Sequence, residues 1–111
     1  MNAVEFISNY IMHDSLIDSV EVVDDNTIVM SIDFAFWMQN NYDESMPETG
    51  VIKVTFNDVS QYSIPQDVDW NEISILETKL ENNSIKFLLM NDMTDESLEI
   101  RIQTNCVFIQ T

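Results

Sequence analysis

From Ile28 to Phe36 the chain alternates. Ile28, Met30, Ile32, Phe34 and Phe36 fall on one side of a period of two. Val29, Ser31, Asp33 and Ala35 fall on the other. That pattern predicts a strand with one buried face. The first residues follow a different period. Ala3, Phe6, Ile7, Tyr10 and Ile11 recur at spacings of three and four, the face of a short helix. Asn2 is placed to cap it, and Glu5 sits in the first turn, where the helix dipole favours an acid. His13-Asp14-Ser15 breaks this period. Residues 16–23 return to a period of two, with Val20 and Val22 on one face and Glu21 on the other. Asp24-Asp25-Asn26 then supplies turn residues that tolerate a left-handed backbone, so a hairpin into the Ile28 strand is expected.

Residues 37–50 read as a loop that is long for a compact domain, and such loops often carry function. Ile52, Val54 and Phe56 mark a third strand that stops at Asn57-Asp58. Val59 to Asn71 looks irregular. Ile73, Ile75 and Glu77 open a strand that runs to Leu80, with Leu76 out of phase, which suggests a bulge. Glu81-Asn82-Asn83-Ser84 reads as a tight hairpin turn. Ile85, Phe87 and Leu89 return. Leu98, Ile100 and Ile102 form the next strand, and Cys106 to Ile109 the last. The prediction is a mostly β domain spanning residues 1–111. It is an antiparallel β-sandwich or curved sheet of six or seven strands with one short N-terminal helix.

Composition narrows the function classes. The chain has 111 residues, and 45% are hydrophobic, which suits a folded domain. Scaling predicts that about two-thirds of the open chain's surface is buried, enough for a core without disulfide or metal. There are 20 acids and four bases, a net charge of −16. Four cations cannot build a phosphate-binding patch, so no direct nucleic-acid contact is expected. One glycine excludes a P-loop, a dinucleotide fingerprint and a nucleophile elbow. One cysteine excludes an internal disulfide. No cofactor is expected. Met1 to Asp14 holds no Lys or Arg, so it lacks a signal-peptide charge, and no apolar run reaches the roughly 18 residues of a membrane span. A cytoplasmic protein without membrane contact is the expectation.

Three patterns invite chemistry. His13-Asp14 matches the dipeptide of a class of metal phosphohydrolases, but His13 is the only histidine and cannot complete such a shell. A turn after the helix, with His13 against the sheet, is the plainer role. Asp67-Val68-Asp69-Trp70-Asn71 begins like a calcium loop, yet Glu72 stands where glycine belongs and Thr78 where glutamate belongs. A solvated acidic loop with Trp70 inward fits better. Carboxylate pairs could serve acid–base catalysis, but no base accompanies them in the first half to hold an anionic transition state. No enzyme and no metal site is expected.

The charge is unevenly spread. Residues 1–52 hold ten acids and no Lys or Arg; residues 53–111 hold ten acids and all four bases. Dense acids repel one another, so they serve either solubility or recognition of a cationic partner. The loop concentrates them with aromatic residues. Trp37, Tyr42, Asp43, Glu44 and Glu48 are the candidate partner-binding residues. Trp37 and Tyr42 are either interface anchors or core residues at a strand end.

His13-Asp14-Ser15-Leu16-Ile17-Asp18-Ser19-Val20 and the Ile28–Ile32 strand resemble the "HD-S-x-I-x-x-V" opening of a group of small bacterial proteins. Val54-Thr55-Phe56-Asn57-Asp58-Val59-Ser60 is similar to their "F-x-x-V" strand, and Leu98 to Ile102 through Val107 fits their ending. Some members resemble immunity proteins of polymorphic toxin systems. The loop after Phe36 lies outside these motifs. The resemblance implies a non-enzymatic binding protein that covers the active surface of a toxin; were that toxin a nuclease, its groove would be cationic, which suits the acidic charge. The alternatives are a DNA-mimicking inhibitor of a nucleic-acid enzyme and a structural or homo-oligomeric domain.

Overall fold

The computed structural model describes residues 1–111. Helix α1 is Ala3–Asn9. The Asn2 side chain accepts from Glu5 N at 2.8 Å, and the Glu5 carboxylate accepts from Asn2 N at 3.0 Å, a complete capping box. Seven residues are too few to hold a helix in water. Its stability comes from Ala3 and Phe6, which are buried against the sheet.

Eight strands follow: β1 Leu16–Asp24, β2 Thr27–Ala35, β3 Thr49–Asn57, β4 Gln61–Ser63, β5 Ile73–Glu81, β6 Ser84–Asn91, β7 Ser97–Gln103 and β8 Cys106–Gln110. They form one antiparallel sheet in the order β4-β7-β6-β5-β1-β2-β3-β8. The alternation from Ile28 sets the register of β2 on β3, from Ile28 opposite Phe56 to Ala35 opposite Thr49. Asn82 and Asn83 both take positive φ, the conformation that closes a two-residue hairpin between β5 and β6. The bulge falls between Ile75 and Glu77, at the out-of-phase Leu76. Asp25 and Asn26 do not take positive φ; Asp24 Oδ1 instead accepts from Asn26 N at 3.0 Å.

The sheet is open but strongly curved. β1 and β5 meet at a single pair, Leu16 opposite Ser74, so the sheet divides into two four-stranded halves. In a flat sheet β3 and β6 would stand roughly 19 Å apart. The rings of Phe56 on β3 and Phe87 on β6 are 6.1 Å apart. The halves have therefore folded toward each other, and Phe6 of α1 lies 5.9 and 6.2 Å from those two rings. One cluster of 20 buried residues joins all three bodies.

The mostly β, antiparallel, curved-sheet expectation holds. The number of strands does not: there are eight, not six or seven. The extra strand is β4, inside the stretch expected to be irregular. Gln61, Tyr62 and Ser63 are all exposed, so no apolar alternation marks them. Pairing to β7 at the sheet edge makes the strand. Val22 also departs from expectation. It pairs with the buried Ile28 of β2 but is itself exposed, near the end of β1. β2 stops at Ala35, and Phe36 opens a 3-10 turn, Phe36–Met38.

Candidate functional site

The segment between β2 and β3 is closed at its base. Ala35 pairs with Thr49, and Trp37 N donates to Glu48 O at 3.1 Å. Inside it, Tyr42 N donates to Gln39 O and Met46 N to Asp43 O. Gln39 ties the segment to the chain after α1. Its Nε2 donates to Ile11 O at 2.7 Å and to Ala35 O at 3.0 Å, while its Oε1 accepts from Ile11 N at 2.9 Å. This side chain acts as a piece of backbone. Phe36 turns inward beside Phe34, ring centroids 5.3 Å apart and nearly perpendicular. The only glycine makes room for it: a Cβ at Gly50 would lie 2.8 Å from Phe36 Cε2.

Gln39→Ala is expected to cost about 2 kcal/mol, because it strips partners from three partly buried backbone groups. Amide exchange at Ile11 is expected to accelerate with it. Unchanged stability and exchange would show that the amide clamp does not hold the loop.

The five sequence-derived candidates lie on this loop. Trp37 is 46% exposed, outside the core. Tyr42 is half-buried, and Asp43, Glu44 and Glu48 are exposed. Asp43 Oδ1 accepts from Ser45 N at 2.9 Å. That backbone bond, with the Ser45 side chain, holds the Asp43 carboxyl below its usual range.

Sequence reasoning missed a cleft of about 500 Å³ between the end of α1 and this loop. Tyr10 and Phe36 contribute aromatic surface to it above the buried Phe34, and Ile11 and Met46 add aliphatic surface. Asn9, Asn40 and Asn41 contribute exposed amides. No charged side chain lines it, although the chain carries 20 acids. Its walls are far apart in sequence and are brought together by the Gln39 clamp and by the packing of the Tyr10 ring on Phe34, 6.1 Å apart.

Three of the four bases lie on the opposite half-sheet, while Lys53 is on β3. Lys79, Lys86 and Arg101 stand directly opposite one another across β5, β6 and β7. Like charges so placed repel. Glu81 offsets this by reaching all three, at 3.8, 3.5 and 3.0 Å, and Glu99 reaches Lys86 and Arg101 at 3.3 and 2.8 Å. Hydrogen bonds from Arg101, then the positive charge of Lys86, hold the Glu81 carboxyl low. Hydrogen bonds from Arg101 and Lys86 do the same for Glu99. A depressed folded pKa stabilises fully above the ordinary value near 4.5 and is lost as pH falls through the depressed one. Arg101→Gln is therefore expected to raise both pKa values and to flatten the loss of melting temperature from about pH 5 to about pH 3. Carboxyl NMR titration checks the first effect; unmoved values would mean that the network is not formed in solution.

The two metal-like patterns serve the backbone. Asp14 takes positive φ and its N–H donates to Ile75 O at 3.1 Å. Ser15 is buried, and its Oγ accepts from Ala35 N at 2.9 Å. His13 is exposed and its Nδ1 bonds Leu76 O at 2.7 Å. His13-Asp14-Ser15 thus joins β1 to β5 where the two half-sheets meet. Asp69 accepts from Asn71 N at 3.2 Å to cap the 3-10 turn Trp70–Glu72, and Trp70 packs against the core. No helix is long and apolar enough to cross a membrane.

No protein-family model, curated protein or solved structure matches the chain.

Proposed function

We propose that the protein is a non-enzymatic acidic binding protein. In this proposal it acts in the cytoplasm and neutralises a cationic protein, a bacterial toxin by the motif resemblance, by covering its active surface. One observation carries the reading. The Phe36–Glu48 loop is braced by the Gln39 clamp, exposes Trp37 beside Asp43, Glu44 and Glu48, and contains no base. Three of the four bases are engaged by Glu81 and Glu99 on the other half-sheet, so they do not shield these acids. An aromatic anchor within a charged rim is the usual anatomy of a tight protein interface. The rim carboxylates would speed encounter with a cationic surface.

Affinity capture from the native cell, with the wild-type chain and an Asp43→Asn/Glu44→Gln/Glu48→Gln chain as baits, tests the proposal. The expected result is one basic protein bound stoichiometrically by wild type, released by high salt and reduced on the variant. That protein's activity should fall when the complex is rebuilt from purified parts. Capture of many unrelated DNA-binding proteins, displaced by duplex DNA, would favour DNA mimicry and overturn the reading.

A further inference from the structure

We infer that the cleft between the end of α1 and the Phe36–Glu48 loop seats an apolar side chain from an extended, basic peptide segment of the protein partner. The inference rests on the proposed binding function and adds the chemistry of the partner's contact.

Three features select this occupant. The first is the aromatic surface of Tyr10 and Phe36 above the buried Phe34, which favours a large apolar side chain over a polar group. A cleft of about 500 Å³ has room for such a side chain together with the backbone that carries it. The second is the amides. Asn9, Asn40 and Asn41 each offer donors and an acceptor, which matches peptide backbone, itself both donor and acceptor. Gln39 is not among the free groups, since its amide is spent on Ile11 and Ala35. The third is charge. The lining has no cation for a phosphate or carboxylate ligand. The loop that supplies Asn40, Asn41 and Met46 also carries exposed Asp43 and Glu44 between them. Lysine or arginine flanking the inserted side chain would meet those carboxylates. A second copy of the chain would bring its own −16 to the same place.

The test uses the full chain, amide NMR titration and two basic probes, the peptides Lys-Lys-Phe-Lys-Lys and Lys-Lys-Ala-Lys-Lys. The phenylalanine peptide is expected to shift the amides of Ile11, Asn41 and Met46 and to bind about tenfold tighter than the alanine peptide. Ser8→Trp, made at an exposed helix position on the cleft wall, should erase that difference while distant amides stay in place. Asp43→Asn with Glu44→Gln should weaken both peptides alike. Equal binding of the two peptides overturns the cleft inference and leaves the acidic-surface reading standing. If neither peptide shifts the loop, both readings fall. Shifts of equal size with neutral N-acetylphenylalaninamide would assign the cleft to a small apolar molecule and overturn the peptide. Concentration-dependent shifts without any probe would assign it to a second copy, with the same consequence.

Discussion

Phe6→Ala is expected to cost about 3–5 kcal/mol, the largest loss from any single change to the helix. Phe6 has no exposed surface. Its ring contacts the Phe56 ring edge-on at 5.9 Å and the tilted Phe87 ring at 6.2 Å, and those two meet each other at 6.1 Å. One ring of this triangle comes from the helix, one from each half of the sheet. The halves are joined along their backbone by the Leu16–Ser74 pair and a few bonds around it, such as Asp14 N to Ile75 O and Ile75 N to Ser15 O, so side-chain contacts carry much of their union. Truncation opens a cavity between three bodies that cannot easily collapse into it. Domains of this size are stable by about 5–15 kcal/mol, so the variant should be close to its unfolding threshold. Urea unfolding followed by circular dichroism measures the loss. Val4→Ala, on the exposed face of the same helix, should stay within about 0.5 kcal/mol. A cost for Phe6→Ala as small as that would mean that α1 merely rests on the sheet.

The strands were readable where one face is buried along a whole strand. Ile28 to Phe34 alternates because β2 has neighbours on both sides and a core beneath it. Leu76 betrayed its bulge for the same reason, since an extra residue shifts the phase of everything after it. β4 was invisible because its three residues bury nothing, and its partner on β7 is about 40 residues away. The curvature was also hidden. It depends on how few pairs join β1 to β5, and period says nothing about pairing length. Val22 shows the cost of that gap: it pairs with the buried Ile28, yet is itself exposed.

At the site, the sequence showed the acids and aromatics of the loop but not their support. The Gln39 clamp joins residues 28 apart through a side chain that composition marks only as polar. The cleft joins that clamp to the Tyr10–Phe34 contact across the fold, so it too had no local signature. By phase Phe36 belongs to the strand, yet it leaves it, and Gly50, the partner of Phe34 on β3, makes room for its ring. The open choice for Trp37, interface or core, has its structural half answered: the side chain stands outside the core cluster at 46% exposure.

That exposure sharpens the last prediction. Trp37→Ala is expected to leave stability within about 0.5 kcal/mol, as for other surface changes. The backbone bond from Trp37 N to Glu48 O needs no side chain, so the loop should keep its closure. Against the captured partner, the same change is expected to cost about 2 kcal/mol or more, roughly a 30-fold weaker complex, and to appear as faster release. Charge changes should act on the other rate. Asp43→Asn keeps an Oδ1 to accept from Ser45 N, so it removes charge without removing the turn. Paired with Glu44→Gln it should slow association and flatten the salt dependence, since salt screens exposed charges beyond about 8–10 Å. Tyr42→Ala falls between the two cases. Its side chain is half-buried, so part of its effect should be lost stability and part faster release. Rates from surface plasmon resonance, read beside melting temperatures of the free variants, separate these contributions. If Trp37→Ala destabilised the free chain and left both rates alone, Trp37 would be a structural residue despite its exposure. If all three sets of changes left association and dissociation unchanged, the Phe36–Glu48 loop would be no part of the interface, and the acidic surface would have to act from elsewhere or serve solubility alone.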